Sequence, residues 1–229
     1  MGYALIVRVS TMYIVLTGDL KSSRQIKGRY NCQLKLKKAL KSINEAFSNY
    51  IVSQFRIIGG DGFQGMISKP DVILDIYFTL FEKIDHPFYL GVGIGNISTP
   101  LSDFIEEIDG SAFHFSSEAL SIAKRKKRWI IIRGNVENID LIECIFNLIF
   151  DLIWGWTQRR KEIILFYRKN GENSHSIDLA AHKFKTGIRN IYKTLEVGKY
   201  SLIKYAENIL EEEFKKQFKI ESDMVQNEN

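Results

Sequence analysis

Two β-rich segments on either side of a glycine-rich turn constrain the fold of this chain more than any other feature. Residues 51–58 and 63–67 are short segments rich in β-branched and aromatic or other large apolar residues, and Gly59-Gly60-Asp61-Gly62 lies between them. Glycine and aspartate dominate tight turns because they tolerate the backbone conformations that turns require. The pattern therefore predicts a β-hairpin, and with it an antiparallel sheet.

The segments around the hairpin predict a mixed α+β domain. We expect further strands at 12–17, 87–95 and 129–132, and helices at about 22–50, 71–83, 110–127 and 136–154. This order predicts an antiparallel sheet that helices cover. From Gly155 onward the pattern is helical, so we divide the chain into residues 1–154, residues 155–220 and a fraying tail, 221–229.

The composition is that of a globular protein that favours anionic partners. The 229 residues are 45% hydrophobic and 26% charged, and the net charge of +5 mildly favours nucleic acid or a nucleotide. The two cysteines, Cys32 and Cys144, form no zinc motif, so we expect a reduced, cytoplasmic location. Arg8 interrupts the apolar start, which argues against a signal peptide or a membrane span.

Two aspartates, each preceded by glycine, predict a metal site at the edge of the sheet. Asp19 follows the first strand as Gly18-Asp19, and Asp61 lies in the hairpin turn. Two carboxylates on adjacent strands form a hard oxygen site of the kind that binds Mg²⁺ together with substrate phosphates. The alternative is that both aspartates serve only to form turns.

Longer motifs around these aspartates resemble those of known families. Residues 59–63 resemble the GGDEF signature with Gly62 in place of its glutamate, and residues 17–20 resemble the first metal-binding strand of nucleotidyl cyclases. The overall pattern resembles the SatD family from residue 12 almost to the end. The matching motifs are Gly18-Asp19, Ser23-Arg24, Gly60-Asp61-Gly62-Phe63-Gln64-Gly65, Gly93-Ile94-Gly95, Ser98-Thr99 and Asp109-Gly110-Ser111-Ala112.

The resemblance implies a ferredoxin-like palm domain, similar to that of nucleotide cyclases, followed by an all-α helix-turn-helix or winged helix-turn-helix domain. It implies Asp19, Leu20 and Asp61 as ligands of Mg²⁺. It also implies a nucleotide site, formed by Gly18, Ser23, Arg24, Gly59, Gly60, Gly62, Phe63 and His114.

The helix after Asp109-Gly110 departs from the cyclase pattern. Where cyclases carry an asparagine and a transition-state arginine, this chain has His114, Ser117 and Glu118. A glutamate cannot stabilise the negative charge of phosphoryl transfer. Arg24, Arg56 or the basic run 124–128 could supply a cation, although that run is explained more simply as a solvated helix end. We therefore expect nucleotide sensing; the alternative is an enzyme that uses Asp19 and Asp61 as catalytic residues with a divalent metal.

The segment 157–197 predicts a helix-turn-helix. Thr157 is expected to cap a helix at 158–169, and helices at 177–184 and 188–197 flank a turn at 185–187. The inward positions are small or apolar: Leu179, Ala180, Ala181, Phe184, Ile191 and Leu195. The outward positions that we expect to contact DNA are Lys183, Lys185, Gly187, Arg189, Asn190, Tyr192 and Lys193. The alternative is a three-helix packing module or dimer interface with a basic surface.

These patterns together favour a DNA-binding regulator whose palm domain senses a nucleotide and Mg²⁺. The other hypotheses are the enzyme described above and a non-catalytic interaction module. Because helix-turn-helix proteins usually bind two half-sites, we expect a homodimer that forms through residues 136–154 or through a last helix at 201–218.

Overall fold

The computed structural model describes residues 12–23 and 28–226, and a single sheet lies at its centre. The strands are β1 (Tyr13–Leu20), β2 (Ile51–Ile58), β3 (Gly62–Ile67), β4 (Phe88–Gly95) and β5 (Ile130–Gly134), in the spatial order β2-β3-β1-β4-β5. Neighbouring strands are antiparallel, except that β5 is parallel to β4. The predicted α+β class and the β2–β3 hairpin are therefore confirmed.

Eight helices are described, and each overlaps a helix that the sequence predicts. They are α1 (Arg29–Ala46), α2 (Ile73–Ile84), α3 (Ser111–Lys126), α4 (Ile139–Trp154), α5 (Gln158–Lys169), α6 (Ser174–Lys183), α7 (Ile188–Val197) and α8 (Tyr200–Gln226). After β5 the described residues contain no strand, so no wing accompanies the C-terminal helices there.

Several helix ends differ from the sequence predictions for local reasons. α1 begins at Arg29 instead of about residue 22, because Gly28 has a left-handed φ of 80°. α6 begins three residues early because Asn173 and Ser176 form a reciprocal capping box. Thr157 caps α5 as predicted, since its hydroxyl accepts from the amide of Arg160. α8 continues to Gln226, past the expected end at residue 218.

A glycine-rich strand explains how α3 approaches the sheet. Gly91, Gly93 and Gly95 alternate along β4, and a Cβ atom on any of them would overlap the main chain or a side chain of α3. Their absence of side chains lets α3 lie directly on the β4 backbone. The GxGIG motif is thus a packing motif that fixes the position of α3 over the sheet.

The two faces of the sheet bury different residues. On one face, α1, α2 and α4 cover the main core, which includes the fully buried Leu16, Phe63, Tyr77 and Phe88. On the α3 face, a smaller cluster forms around Val15. A second small apolar cluster, around Ile131, lies on the same face.

Polar side chains of α4 close the outer edge of β5. Asn147 accepts hydrogen bonds from the amides of Trp129 and Ile130, at 2.8 and 3.3 Å, and donates to the carbonyl of Ile130. Glu143 accepts from the amide of Ile132 over 3.1 Å. The polar face that the sequence indicates on this helix therefore satisfies a strand edge that would otherwise be free to pair with another chain.

The C-terminal helices form two different kinds of contact. Leu165 of α5 and Ile203 and Leu210 of α8 belong to the main core beneath the sheet. α6 and α7 instead pack on the other side of α5, in a small core of Ile163, Ile177, Ala180 and Ile191. None of the helices in the described part of the chain is both long and apolar enough to cross a membrane.

Three ion pairs fasten α5 to α2 and to the residue that follows it. Lys161 pairs with Asp85 at 3.1 Å, Arg168 with Asp75 at 2.7 Å, and Lys169 with Glu82 at 2.5 Å. The side chains of Arg168 and Lys161 are largely buried, whereas their partners Asp75 and Asp85 are half exposed, so these pairs fasten α5 at the rim of its contact with α2.

Candidate functional site

Asp19 and Asp61 lie at the same end of the sheet, on neighbouring strands. Asp19 is opposite Gly62 in the β1–β3 ladder, and Asp61 directly precedes Gly62. The amide of Leu20 donates to the carbonyl of Asp61 over 3.3 Å. Both aspartates are partly exposed. The structure therefore brings the two predicted carboxylate residues to one accessible edge.

Glycine residues and one buried ring shape this end of the sheet. Gly59 and Gly60 have φ angles of 60° and 91°, in the left-handed region that favours glycine. Gln33 of α1 donates to the carbonyl of Gly60 over 2.6 Å and ties the turn to the helix. The ring of Phe63 is fully buried and fills the space where a Cβ of Gly18 would lie. Gly18 and Phe63 therefore pack beneath the aspartates and present little surface to a ligand.

A lysine from α3 reaches the first aspartate. Nζ of Lys124 lies 2.6 Å from Oδ2 of Asp19, and 22% of the Asp19 side chain remains exposed. Sequence reasoning interpreted residues 124–128 as a solvated helix end and did not include Lys124 in the site. The contact arises because α3 lies on β4, which is the strand next to β1, and its last turn therefore ends over Asp19.

A hydrogen-bonded chain supports the site from the middle of the sheet. Gln64 donates to the hydroxyl of Thr17 over 2.8 Å, and that hydroxyl lies 2.9 Å from the hydroxyl of Ser116 on α3. Thr17 and Ser116 are buried. Because buried polar groups are costly unless paired, these hydrogen bonds hold β1, β3 and α3 in fixed positions relative to one another.

A second lysine, two residues after Asp19, covers two aromatic rings. Nζ of Lys21 lies 3.1 Å from the ring centre of Trp129 and 4.4 Å from that of Tyr89. Burial lowers the pKa of Lys21 to about 8, although the nearby Asp151 carboxylate acts in the opposite direction. Lys21 thus combines an aromatic contact with an ammonium that loses its proton more readily than that of an exposed lysine.

Other predicted residues lie elsewhere. His114 is exposed and pairs with Asp109 at 3.5 Å. It precedes Lys124 by ten residues of the same helix, about 15 Å, so the structure does not bring it to Asp19. Ser23 is buried, and Arg24 lies outside the described residues. Arg56 stacks on the ring of Phe104 at 4.4 Å and does not supply the cation beside Asp19.

The residues at this edge fit Mg²⁺ only in combination with a phosphate ligand. Within the described part of the chain, no group of three or more histidine, cysteine, aspartate or glutamate side chains could hold a metal ion. Asp19 and Asp61 would supply two carboxylates, and Leu20, whose side chain is buried, could offer only its carbonyl oxygen. Mg²⁺ commonly binds through one or two carboxylates with substrate phosphates and water, which matches this donor set.

The pair formed by α6 and α7 presents the second group of predicted residues. Four residues join the two helices, and Lys185 in this turn has a φ of 49°. The side chains predicted to face DNA are all exposed: Lys183, Lys185, Arg189, Asn190, Tyr192 and Lys193, together with Gly187. Arg159 of α5, which sequence reasoning missed, donates to the carbonyl of Phe184 and adds an exposed cation beside the turn.

Two details of the α6–α7 packing differ from the sequence prediction. Ala180 is fully buried at the helix crossing, whereas Ala181 is only partly buried. Leu179 was expected to face inward but is 37% exposed. The inward stripe of α6 runs through Ile177 and Ala180, and Leu179 and Ala181 lie to either side of it.

Comparisons with known proteins place the chain in a family and give distant structural similarities. The model of the SatD family matches residues 13–164. No curated protein matches the chain. Among solved structures, the catalytic core of a rhodopsin-guanylyl cyclase with converted specificity, in complex with ATPαS, is 17% identical, with a TM-score of 0.33, over 49% of this chain and 72% of that one. A regulator of polyketide synthase expression from Bifidobacterium adolescentis is 10% identical, with a TM-score of 0.27, over 89% of this chain and 81% of that one.

Proposed function

The chain belongs to the SatD family, and from that premise we propose that it is a DNA-binding transcriptional regulator that senses a nucleotide with Mg²⁺. In this proposal, the sheet with α1–α4 is a ferredoxin-like palm domain and α6–α7 is a helix-turn-helix. The first six elements have the order β-α-β-β-α-β, which supports the palm assignment. The two functions lie at separate places on the molecule.

The observation that carries the DNA-binding proposal is the exposed surface of α7 and the preceding turn. Between Asp178 and Glu196 the chain has four lysine or arginine residues and no acidic residue. Ile191 is fully buried in the small core, which turns Arg189, Asn190 and Lys193 to solvent. Arginine and asparagine can pair with guanine and adenine edges in the major groove, and lysine with phosphates.

The sensing proposal depends on the end of the sheet. Asp19 and Asp61 offer carboxylates to Mg²⁺, Lys124 places one amine against Asp19, and Lys21 holds a second amine over the neighbouring rings of Tyr89 and Trp129. A nucleotide brings phosphates that complete the coordination of the metal and attract the amines. The ligand in this proposal is therefore a nucleoside polyphosphate bound with its metal.

Homodimer formation and a cytoplasmic location belong to the same proposal. α4 exposes Leu141, Leu148 and Leu152 on the side away from the sheet, which supports self-association through this helix. Cys32 and Cys144 are both free thiols, consistent with a reduced compartment.

Salt-dependent binding to duplex DNA tests the regulator. We expect the full chain to bind a random duplex with a dissociation constant of about 10⁻⁴–10⁻⁶ M at physiological salt. The double change Lys185→Ala/Lys193→Ala should lower the slope of log affinity against log salt by about two. Lys37→Ala/Lys38→Ala, which removes two exposed lysines from α1, is the matched control and should leave the slope unchanged. Equal effects of both double changes would refute the assigned surface.

One observation favours the enzyme as a second candidate. Lys124 provides, next to Asp19, the cation that a phosphoryl-transfer site requires and that the sequence alone did not place there. Incubation of the full chain with ATP or GTP and Mg²⁺, followed by chromatography of the products, tests this activity. Product that forms in the wild type and is lost in both Asp61→Asn and Lys124→Met would establish it. Nucleotide recovered intact after binding would leave sensing as the role of the site.

A further inference from the structure

At the end of the sheet that holds Asp19 and Asp61, two aromatic residues follow the aspartates from strand to strand. Tyr89 of β4 is opposite Asp19. The amide of Leu90 donates to the carbonyl of Trp129 over 2.9 Å, which places Trp129 one strand further along. Lys21 lies two residues after Asp19, just past the end of β1, and its amide continues the ladder by donating to the carbonyl of Pro87. The two aspartates, Tyr89 and Trp129 therefore follow one another across this end of the sheet.

Trp129 is fixed in place on one face, and the side chain of Lys21 lies over the other face. One ring face stacks on Trp154, with centroids 5.6 Å apart and an interplanar angle of 8°. Its indole nitrogen donates to Asp151 over 3.3 Å, and its amide donates to Asn147. Over the ring, 3.1 Å from its centre, lies Nζ of Lys21. A rigid aromatic ring under a movable lysine is a surface that a planar ligand can occupy once the lysine moves.

We propose that Trp129, flanked by Tyr89, is the base-binding surface for a nucleoside polyphosphate whose phosphates bind at Asp19 and Asp61 through Mg²⁺. In the bound state the base stacks on Trp129, and Lys21 leaves the ring to pair with the phosphates. This inference rests on the proposed sensing function and names the part of the site that recognises the nucleoside.

The spacing of the strands supports this arrangement. Neighbouring strands are about 4.8 Å apart, so the main chain at Trp129 lies about 10 Å across the sheet from that at Asp19, which leaves room for a sugar between the base and the phosphates. The charges are also complementary. The phosphates would lie beside Lys124, Lys21 and the metal, whereas the uncharged base would lie on the rings.

The exchange of Lys21 for a base also explains why a lysine lies in this position. A cation over an indole ring is favourable but weak when it is partly exposed, and a stacked base provides a larger contact. The lysine keeps the ring covered in the free protein and becomes a phosphate ligand in the complex. It therefore contributes to both states.

Calorimetry on the full chain with two ligands tests the proposal. Mg²⁺-ATP, or Mg²⁺-GTP, carries both a base and phosphates, whereas Mg²⁺-tripolyphosphate carries only the phosphates. In the wild type we expect the nucleotide to bind about tenfold more tightly than tripolyphosphate, because stacking on an aromatic ring contributes about that factor. Trp129→Leu should remove this difference, while tripolyphosphate binds as before.

Two further variants keep the test independent of misfolding. Trp129→Phe retains a ring and should retain most of the preference for the nucleotide. Lys21→Met should weaken tripolyphosphate but strengthen the binding of the uncharged nucleoside, a change of opposite sign that loss of folding cannot produce. Trp156→Phe, at a tryptophan whose indole nitrogen bonds to Gly198 far from Asp19 in the sequence, is the matched control and should change neither affinity.

The possible outcomes separate this inference from the function on which it rests. If both ligands bind the wild type equally and Trp129→Leu changes neither affinity, the base-binding surface is refuted while the phosphate and metal site stands. If neither ligand binds the wild type, both the sensing function and the base-binding surface are refuted. A preference for the nucleotide that disappears only in Trp129→Leu supports the proposal.

Discussion

Lys124 of α3 and Asp19 of β1 form a direct ion pair, with 2.6 Å between Nζ and Oδ2. The pair joins a residue in the last turn of α3 to a residue near the end of β1, 105 positions earlier in the chain. The carboxylate of Asp19, a predicted metal ligand, is therefore already compensated by the positive charge of Lys124. A metal ion that binds Asp19 must therefore compete with an amine for the same oxygen.

Lys124→Met should strengthen the binding of a divalent cation in the absence of nucleotide. A partly exposed ion pair is worth about 0.2–1 kcal/mol, so we expect an increase in affinity of up to about fivefold. Titration with Mn²⁺, followed by electron paramagnetic resonance, measures the free ion directly. Arg125→Met removes the neighbouring exposed cation of α3 and should have a smaller effect. Weaker Mn²⁺ binding in Lys124→Met would contradict the competition.

Asp61→Asn should abolish stabilisation of the protein by a nucleotide with Mg²⁺. The change retains the shape of the turn but removes one of the two carboxylates available to the metal. In the wild type, ligand at 100 times its dissociation constant should raise the free energy of unfolding by about 2.7 kcal/mol, which a thermal shift detects. Asp103→Asn, at an exposed aspartate outside the site, is the control and should keep the full shift.

The fluorescence of Trp129 should change with pH near 8, where burial has brought the pKa of Lys21. Below this pH the ammonium lies over the ring, facing also Tyr89 and Asp151; above it, the charge is lost. Because the pKa is lower in the folded protein than in the unfolded chain, the folded state releases its proton first. The free energy of unfolding should therefore rise between about pH 8 and the ordinary lysine range. Lys21→Met should remove the fluorescence transition, and a transition that persists would assign it to another group.

Arg168→Met should destabilise the protein far more than loss of an exposed cation. Arg168 is largely buried and binds both Glu207 of α8 and Asp75 of α2. Removing it leaves the Glu207 carboxylate buried with less compensation, which typically costs about 3–5 kcal/mol. Lys215→Met, whose partner Glu211 is exposed, should cost at most about 1 kcal/mol. Urea unfolding of both variants provides the comparison.

The pair of Arg168 and Glu207 should also determine how the free energy of unfolding changes at acidic pH. Burial raises the pKa of Glu207, but hydrogen bonds and charge from Arg168 outweigh it and hold the pKa below its ordinary value. The stabilisation is therefore complete above the ordinary glutamate pKa and is lost as the pH falls through the lowered one. In Arg168→Met this acid dependence should shrink, because Lys204 alone then opposes the effect of burial on the pKa of Glu207.

Gly93→Ala should destabilise the protein, whereas Gly187→Ala should not. A Cβ at position 93 would overlap the main chain of α3 at Ala112 and Ser116, and such overpacking typically costs about 1–3 kcal/mol. Position 187 has a φ of −74° and nothing within 4 Å of a new Cβ. We expect a change within about 0.5 kcal/mol there. Equal stability of the two variants in urea would contradict the close approach of α3.

The sequence predicts the elements well and the contacts between them unevenly. The adjacency of Asp19 and Asp61 follows from local signals, because a glycine-rich hairpin and a preceding strand restrict the register. The contact between Lys124 and Asp19 does not, since it depends on how far α3 slides along β4, and only the packing against Gly91, Gly93 and Gly95 fixes that position.

Helix starts show the same limit. Residues before Arg29 have a helical pattern, but a left-handed Gly28 delays the start of α1. For α6, the capping box at Asn173 was not recognised because its partner, Ser176, is less common than glutamate or glutamine in that role. Such short-range hydrogen bonds decide boundaries that hydrophobic periodicity cannot resolve.

α5 contributes to two cores at once. One side of the helix completes the core beneath the sheet, and the other completes the core of α6–α7. A fragment that starts at residue 155 would bring Leu165 into water and separate Arg168 from Asp75. A fragment that ends at residue 154 would uncover the matching surface of α2. Fusion partners, tags and truncations therefore belong at the ends of the chain. An exchange of α6–α7 between relatives requires that α5 and the facing surface of α2 be exchanged as well.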